Sequence, residues 1–184
     1  QGERVALNIL CHMSGVATAT NKLVELCKGE DVSVADTRKT LPCLRSLEKY
    51  AVVCGGGKNH RYNLSDCAML KDNHIDAAGG IKNAVSKVRE QLGHTIKIEV
   101  ETRNLDEVQE AIDAKADIIM LDNMTLDQMA QAVQLINKSA IVEASGNVTE
   151  ETIVDIAKTG VDLISSGAIT HSVKAFDISM KFEK

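Results

Sequence analysis

The sequence predicts an α/β protein built on an incomplete (β/α) barrel, preceded by a long helical segment. Three observations carry this expectation. Apolar runs centred on residues 98, 119, 141 and 163 recur at spacings of 21, 22 and 22 residues, with helical periodicity between them. Short, repeated βα connections of this kind build parallel sheets. Aromatic residues are only 2% of the 184-residue chain and Trp is absent, while hydrophobic residues reach 44%. A core of Ala, Val, Ile, Leu and Met suits helices packed on parallel strands. Finally, six strand candidates fall short of a closed eight-stranded barrel, which takes about 250 residues.

In chain order, residues 4–27 carry a long helical pattern, with Ser14-Gly15 as a candidate break. Residues 32–35 and 68–70 read as strands, with helices over 44–53 and 81–92. Residues 96–101 alternate apolar and charged side chains and are rich in β-branched types, which marks a strand. The runs 116–122, 140–146 and 161–167 repeat the idea, separated by helical patterns at 105–114, 126–136 and 150–158. Residues 176–182 alternate like an edge strand and have no partner within the repeat. They are expected to pair with a segment outside this chain, which divides it into 1–175 and 176–184. The chain opens on Gln1-Gly2-Glu3-Arg4 without an initiator Met and reads as the later part of a longer protein.

Composition narrows the function. A net charge of −5 argues against nucleic acid as the partner, because that footprint is an extended basic surface. The five cysteines, at 11, 27, 43, 54 and 67, show no metal-ligand spacing and read as free thiols of a reducing compartment. No apolar run approaches membrane-spanning length, and no signal peptide precedes the first helix. The expectation is a cytoplasmic protein.

Against that acidic background, short basic motifs stand out. Asp36-Thr37-Arg38-Lys39-Thr40, Gly55-Gly56-Gly57-Lys58-Asn59-His60-Arg61 and Lys71-Asp72-Asn73-His74 place Arg38, Lys39, His60, Arg61 and Lys71 close together in sequence. Cations mixed with Gly, Asn and Thr suit a loop that binds a small polyanion. Arg grips carboxylate or phosphate with paired hydrogen bonds, and Lys acts as a point charge. The three glycines read as backbone freed to approach a ligand, beyond the single C-cap glycine a helix needs. Lys71, closing a strand, suits an anion ligand or a Schiff-base nucleophile. Glu101 and Asp122 end consecutive strands, where paired acids suit Mg²⁺ or sugar hydroxyls; Glu99 and Glu143 are the alternatives. Ser145-Gly146-Asn147 and Ser166-Gly167-Ala168 are short strand-end loops able to offer backbone N–H groups to phosphate. Arg38, Lys39, Lys71, Glu101, Asp122, Ser145-Gly146 and Ser166-Gly167 all follow the carboxyl ends of strands, the active face of such barrels.

With these motifs in hand, the chain resembles the quinolinate phosphoribosyltransferase family. The match also includes Glu3-Arg4, Leu7-Asn8, His12-Met13-Ser14-Gly15, Leu121-Asp122-Asn123, Glu143-Ala144-Ser145-Gly146 and Gly167-Ala168-Ile169-Thr170-His171-Ser172. The resemblance implies the incomplete (β/α) barrel of type II phosphoribosyltransferases, with the family's amino-terminal α/β sandwich absent. It implies condensation of quinolinate with phosphoribosyl pyrophosphate, giving nicotinate mononucleotide, pyrophosphate and CO2 in NAD biosynthesis. Arg38, His60, Arg61 and Lys71 would hold the quinolinate carboxylates, and Thr37 belongs to the same substrate loop. Lys39 would reach phosphoribosyl pyrophosphate, with Glu101 and Asp122 facing ribose hydroxyls and Mg²⁺. Ser145, Gly146, Asn147, Ser166, Gly167 and Ala168 would cradle the 5′-phosphate. Arg4 would enter the neighbouring subunit's site, which implies a homodimer. The alternatives are a non-carboxylating paralogue of the molybdenum-uptake type, a Schiff-base barrel enzyme using Lys71, and a catalytically silent nucleotide-binding fragment.

Overall fold

A computed structural model describes residues 2–181. The chain begins with α1 (Gly2–Leu26) and β1 (Ser33–Ala35), followed by α2 (Arg45–Cys54), β2 (Cys67–Leu70), α3 (Asp72–Ala78) and α4 (Ile81–Gln91). Then β3 (Lys97–Thr102), α5 (Leu105–Asp113), β4 (Ile118–Asp122), α6 (Leu126–Ile136), β5 (Ile141–Ser145), α7 (Ile153–Ala157), β6 (Leu163–Ser165) and α8 (Ala168–His171) complete the alternation. The six strands form one parallel sheet in the order β1-β6-β5-β4-β3-β2. β1 and β2 remain its edges. Beyond β1 the sheet is extended only by a parallel bridge between Ala35 and Lys58, so the barrel is open, as the strand count leads one to expect.

Register explains the alternation of residue types. Paired residues share a face, and pairings such as Met69–Glu99, Met120–Glu143 and Ser145–Ser165 put the acids and hydroxyls on the inner face. Ile98, Val100, Ile119, Leu121, Val142, Ala144 and Ile164 occupy the opposite face and form the main core with the helices. Thus β3 reads Glu99, Glu101 inward and Ile98, Val100 outward, the period-2 signature of a strand.

Several local expectations change. α1 runs without a break through Ser14-Gly15. Gly15 is there for contact: a Cβ on it would lie 2.4 Å from the Lys174 carbonyl oxygen. The three glycines after α2 likewise serve packing. A Cβ on Gly55 would sit 2.4 Å from the Ala17 carbonyl oxygen, one on Gly57 would sit 2.7 Å from Thr20, and Gly56 turns at φ +88°. They seat α2 against α1 and do not form a ligand cradle. Lys71-Asp72-Asn73-His74, read as a loop, includes the start of α3, where His74 Nδ1 accepts the Lys71 N–H at 3.0 Å. α7 is shorter than the 150–158 pattern because Thr149 and Thr152 cap each other ahead of it. Residues 176–181 carry no assigned strand; Phe176 N–H donates to the Cys11 carbonyl at 3.0 Å, and the last part of the expected edge strand lies outside the described residues.

Gly15→Ala is expected to cost about 1–3 kcal/mol in chemical denaturation, the usual penalty of forcing atoms into a packed contact. An unchanged midpoint would mean that the 174–175 segment simply moves aside.

Candidate functional site

The carboxyl ends of the strands gather the basic motifs, and a buried ion pair organises them. Asp36, just past β1, and Lys49, in α2, are both buried and paired. Asp36 Oδ1 also accepts the His60 N–H at 2.8 Å, and Lys49 Nζ donates to the His60 carbonyl at 2.9 Å. With its amide nitrogen turned toward them, Asn59 donates to Asp36 Oδ2 at 2.7 Å and the Lys49 carbonyl at 2.9 Å. The Thr37-Arg38-Lys39 loop and the Asn59-His60-Arg61 segment are therefore tied to one carboxylate. Burial raises the Asp36 pKa, and Lys49 and the His60 amide oppose that rise.

Arg38, Arg45 and Arg61 face only neutral partners among the described residues. Arg61 donates to the Cys67 carbonyl and approaches the Met69 sulfur, while the Arg38 Nε is buried with no partner. Arg45 donates to Thr40 Oγ1, the Tyr62 carbonyl and the Arg38 carbonyl at 3.1–3.2 Å. Burial first, then Arg61 and Arg45 nearby, push the Arg38 pKa below its ordinary value. Like charges held together without a counter-ion make a site for an anion. Arg45 is absent from the motif-based reading, because as the first residue of a helix it carries no motif of its own.

Thr37 Oγ1 accepts the Lys39 N–H at 3.0 Å, and Thr170 Oγ1 donates to the Lys39 carbonyl at 2.7 Å. The Lys39 side chain lies so close to Gly167 that a Cβ there would be 2.8 Å from its Cδ. Lys39 and the Ser166-Gly167-Ala168 loop therefore form one corner. Lys71 Nζ pairs with Glu101 Oε2 across adjacent strands. Such an ion pair differs from the desolvated free amine that Schiff-base chemistry requires. Asp122 Oδ2 accepts from Asn123, whose Oδ1 accepts the Asn147 amide at 3.2 Å. Gly146 is obligatory there, at φ +96° with a would-be Cβ 2.1 Å from Asn123 Oδ1. Asn123, which the sequence gives no role, thus joins the acid corner to the Ser145-Gly146-Asn147 loop. Arg4 is exposed near the start of α1 and makes no ion pair among the described residues.

His60 departs from the expectation of a free carboxylate ligand. Its side chain is 10% exposed, with Nε2 3.4 Å from Glu99 Oε2 and 3.3 Å from Glu143 Oε2. Its Nδ1 accepts the Arg61 N–H at 2.7 Å. Burial alone would lower the imidazole pKa, but the Glu143 and Glu99 carboxylates push it up to about 10. A second ring proton would displace the Arg61 amide, so the raised proton affinity belongs to the trio as a whole. Burial also raises Glu99, as a pair of close carboxylates demands. These three side chains form a metal-capable cluster, with donor atoms within 4.8 Å of one another. Glu101 and Asp122 are instead partly exposed at the carboxyl ends of β3 and β4.

Residues 16–181 match the family described as quinolinate phosphoribosyl transferase, C-terminal domain. The chain belongs to this family. It is 49% identical to a probable nicotinate-nucleotide pyrophosphorylase (carboxylating) of Methanocaldococcus jannaschii, over 97% of this chain and 66% of that protein. A counterpart from Synechocystis is 52% identical over 98% of the chain and 62% of its own length. The crystal structure of NadC from Streptococcus pyogenes superposes with a TM-score of 0.94 at 49% identity, covering 98% of this chain and 64% of that one. The chain thus spans a little under two thirds of the family members it matches. No helix among the described residues is long and apolar enough to cross a membrane.

The trio makes a pH prediction. A group whose folded pKa lies above its unfolded value binds its proton more tightly when folded, so stability falls as pH rises between the two values. Because the His60, Glu99 and Glu143 trio holds one proton more tightly when folded, with the affinity that takes His60 from 6.5 to about 10, stability should decline from pH 6.5 to 9, by at most about 1.4 kcal/mol per unit. Staying below pH 9 avoids the Cys67 thiol, whose pKa is pushed from 9.0 to about 11, chiefly by burial. The double variant Glu99→Gln/Glu143→Gln should flatten the slope in urea titrations. A flat wild-type profile would contradict the charge assignment.

Proposed function

We propose that the protein transfers the phosphoribosyl group of phosphoribosyl pyrophosphate to quinolinate, with decarboxylation, giving nicotinate mononucleotide, pyrophosphate and CO2. The observation that carries this is the cluster of Arg38 and Arg61, braced by Arg45 and lacking any carboxylate partner among the described residues. A planar dicarboxylate supplies the missing negative charge and matches the bidentate geometry of guanidinium.

In this reading Arg38, Arg61 and Lys71 grip the quinolinate carboxylates, with His60 at the floor. Lys39 reaches phosphoribosyl pyrophosphate, and the loops at Ser145-Gly146-Asn147 and Ser166-Gly167-Ala168 cradle its 5′-phosphate. Glu101 and Asp122 face the ribose hydroxyls. Their carboxylate pair also fits Mg²⁺, which favours a few carboxylates plus substrate phosphates and would shield the pyrophosphate charge when bound. Holding two highly charged anions in register is the main task, since positioning supplies roughly 7–11 kcal/mol of barrier reduction. As pyrophosphate departs, the ring nitrogen attacks the electron-poor ribose carbon. Loss of the adjacent carboxylate then leaves charge on the ring, which the positive ring nitrogen and the arginines stabilise.

The same reading makes the active form a cytoplasmic homodimer, with Arg4 contributing to the neighbouring subunit's site. Residues 176–184 lead toward the family's amino-terminal domain.

The test is quinolinate- and phosphoribosyl-pyrophosphate-dependent CO2 release with Mg²⁺, on this chain and on the full-length protein. Arg38→Ala in the full-length protein should cut kcat/KM at least about a hundredfold, the scale of losing a paired, charge-assisted contact, while its melting temperature holds. Near-normal turnover in that variant would remove Arg38 from the site. Absence of quinolinate-dependent release from the full-length wild type would overturn the reading itself.

A further inference from the structure

We propose that Glu99 and Glu143 are positioning residues that act through His60 to fix Arg61 for the substrate carboxylate. This rests on the reading of Arg61 as a quinolinate contact. Both carboxylates are wholly buried on the inner face of the sheet, one on β3 and one on β5. They meet the same imidazole nitrogen, Nε2, at 3.4 and 3.3 Å. The other nitrogen, Nδ1, accepts the backbone N–H of Arg61 at 2.7 Å. The imidazole is thus held from below by two strands and holds the following residue from its other edge.

Arg61 needs such a hold. Among the described residues its guanidinium reaches only the Cys67 carbonyl, at 3.5 Å, and the Met69 sulfur, at 3.1 Å. Neither contact is strong enough to aim a guanidinium, so its direction is set where its backbone is pinned. Among the described residues, Glu99 Oε1 and both oxygens of Glu143 find no hydrogen-bond donor of good geometry. Apolar side chains at these positions would avoid the cost of burying the charge, so the acids point to a task at the ring.

A divalent cation could also occupy this trio, since the donor atoms converge. A metal on Nε2, however, forces the remaining ring proton onto Nδ1, which would then face the Arg61 N–H with a proton of its own. The contact at Nδ1 therefore leaves Nε2 as the nitrogen that carries the ring proton toward the two carboxylates.

The experiment uses the full-length protein without substrate, with ¹⁵N resonances of the His60 ring assigned by comparison with His60→Asn. The expected ring is protonated on Nε2 and bare on Nδ1, and Glu99→Gln and Glu143→Gln each shift the Nε2 resonance. In kinetics, each Gln variant should raise KM for quinolinate about tenfold, the scale of one hydrogen bond to a charged group. KM for phosphoribosyl pyrophosphate and kcat should stay within about twofold, and the melting temperature should hold or rise. A ring protonated on Nδ1, ring resonances unmoved by both variants, or a stoichiometric divalent ion removed by chelation would each overturn the proposal. So would equal losses for both substrates with a lowered melting temperature. If the wild type did not turn over quinolinate, the functional reading would fail, while the resonances would still decide whether the acids govern the ring.

Discussion

The buried pair of Asp36 and Lys49 is the constraint on which the basic site depends. A carboxylate and an ammonium taken out of water are tolerated only when each is also hydrogen-bonded, and here the additional bonds run to Asn59 and His60, ahead of Arg61, while Asp36 itself opens the loop that carries Arg38. One pair therefore fixes Asp36, two residues before Arg38, and His60, the residue before Arg61. Glu48, the neighbour of Lys49 in α2, does the same for the outer layer: buried, it meets His12 of α1 at 2.7 Å and accepts the Leu41 N–H at 3.1 Å. Two consecutive charged residues of one helix thus link α1, the 36–41 loop and the 59–61 segment.

The sheet separates two solvents. Its outer face is aliphatic and packs on the helices, supplying stability by burial of apolar surface. Its inner face carries the buried Glu99, Glu143 and Ser165 and the partly exposed Glu101, Asp122 and Ser145. In a low-dielectric lumen, charges act strongly on one another, so the deep carboxylates and His60 behave as one group. Nearer the mouth the cations outnumber the acids that pair with them, and the site's affinity for anions follows from that imbalance. Arg45 and Asn123 tie the loops together, Arg45 through oxygens of Thr40, Tyr62 and Arg38 and Asn123 through Asp122 and Asn147.

Much of this was legible in the chain. The 21–22-residue rhythm follows from the physical length of a strand, a helix and two short connections, so it gave the strands, their parallel order and the end where the chemistry gathers. Strand-end residues such as Lys71, Glu101 and Asp122 were identifiable because a strand's carboxyl end is a local property. The start of α3 was hidden by a motif that reads as a binding loop, although Asp72 in the first turn and a side chain returning from His74 are recognisable helix-start signals.

Sequence alone therefore determined the six strands, the helices between them apart from α3 and α8, the shared facing of Glu99 and Glu101 and the excess of cations near residues 36–71, because each depends on periodicity or local charge. Only the tertiary structure decided what those residues touch. The glycines at 55–57 looked like a ligand cradle until α1 was found against them, since close approach involves a partner some 35–40 positions away. His60 looked like an open ligand until β3 and β5 placed Glu99 and Glu143 on its inner nitrogen. Contacts between distant residues leave no mark on the periodicity of either segment, so burial and pairing emerged only when the sheet assembled.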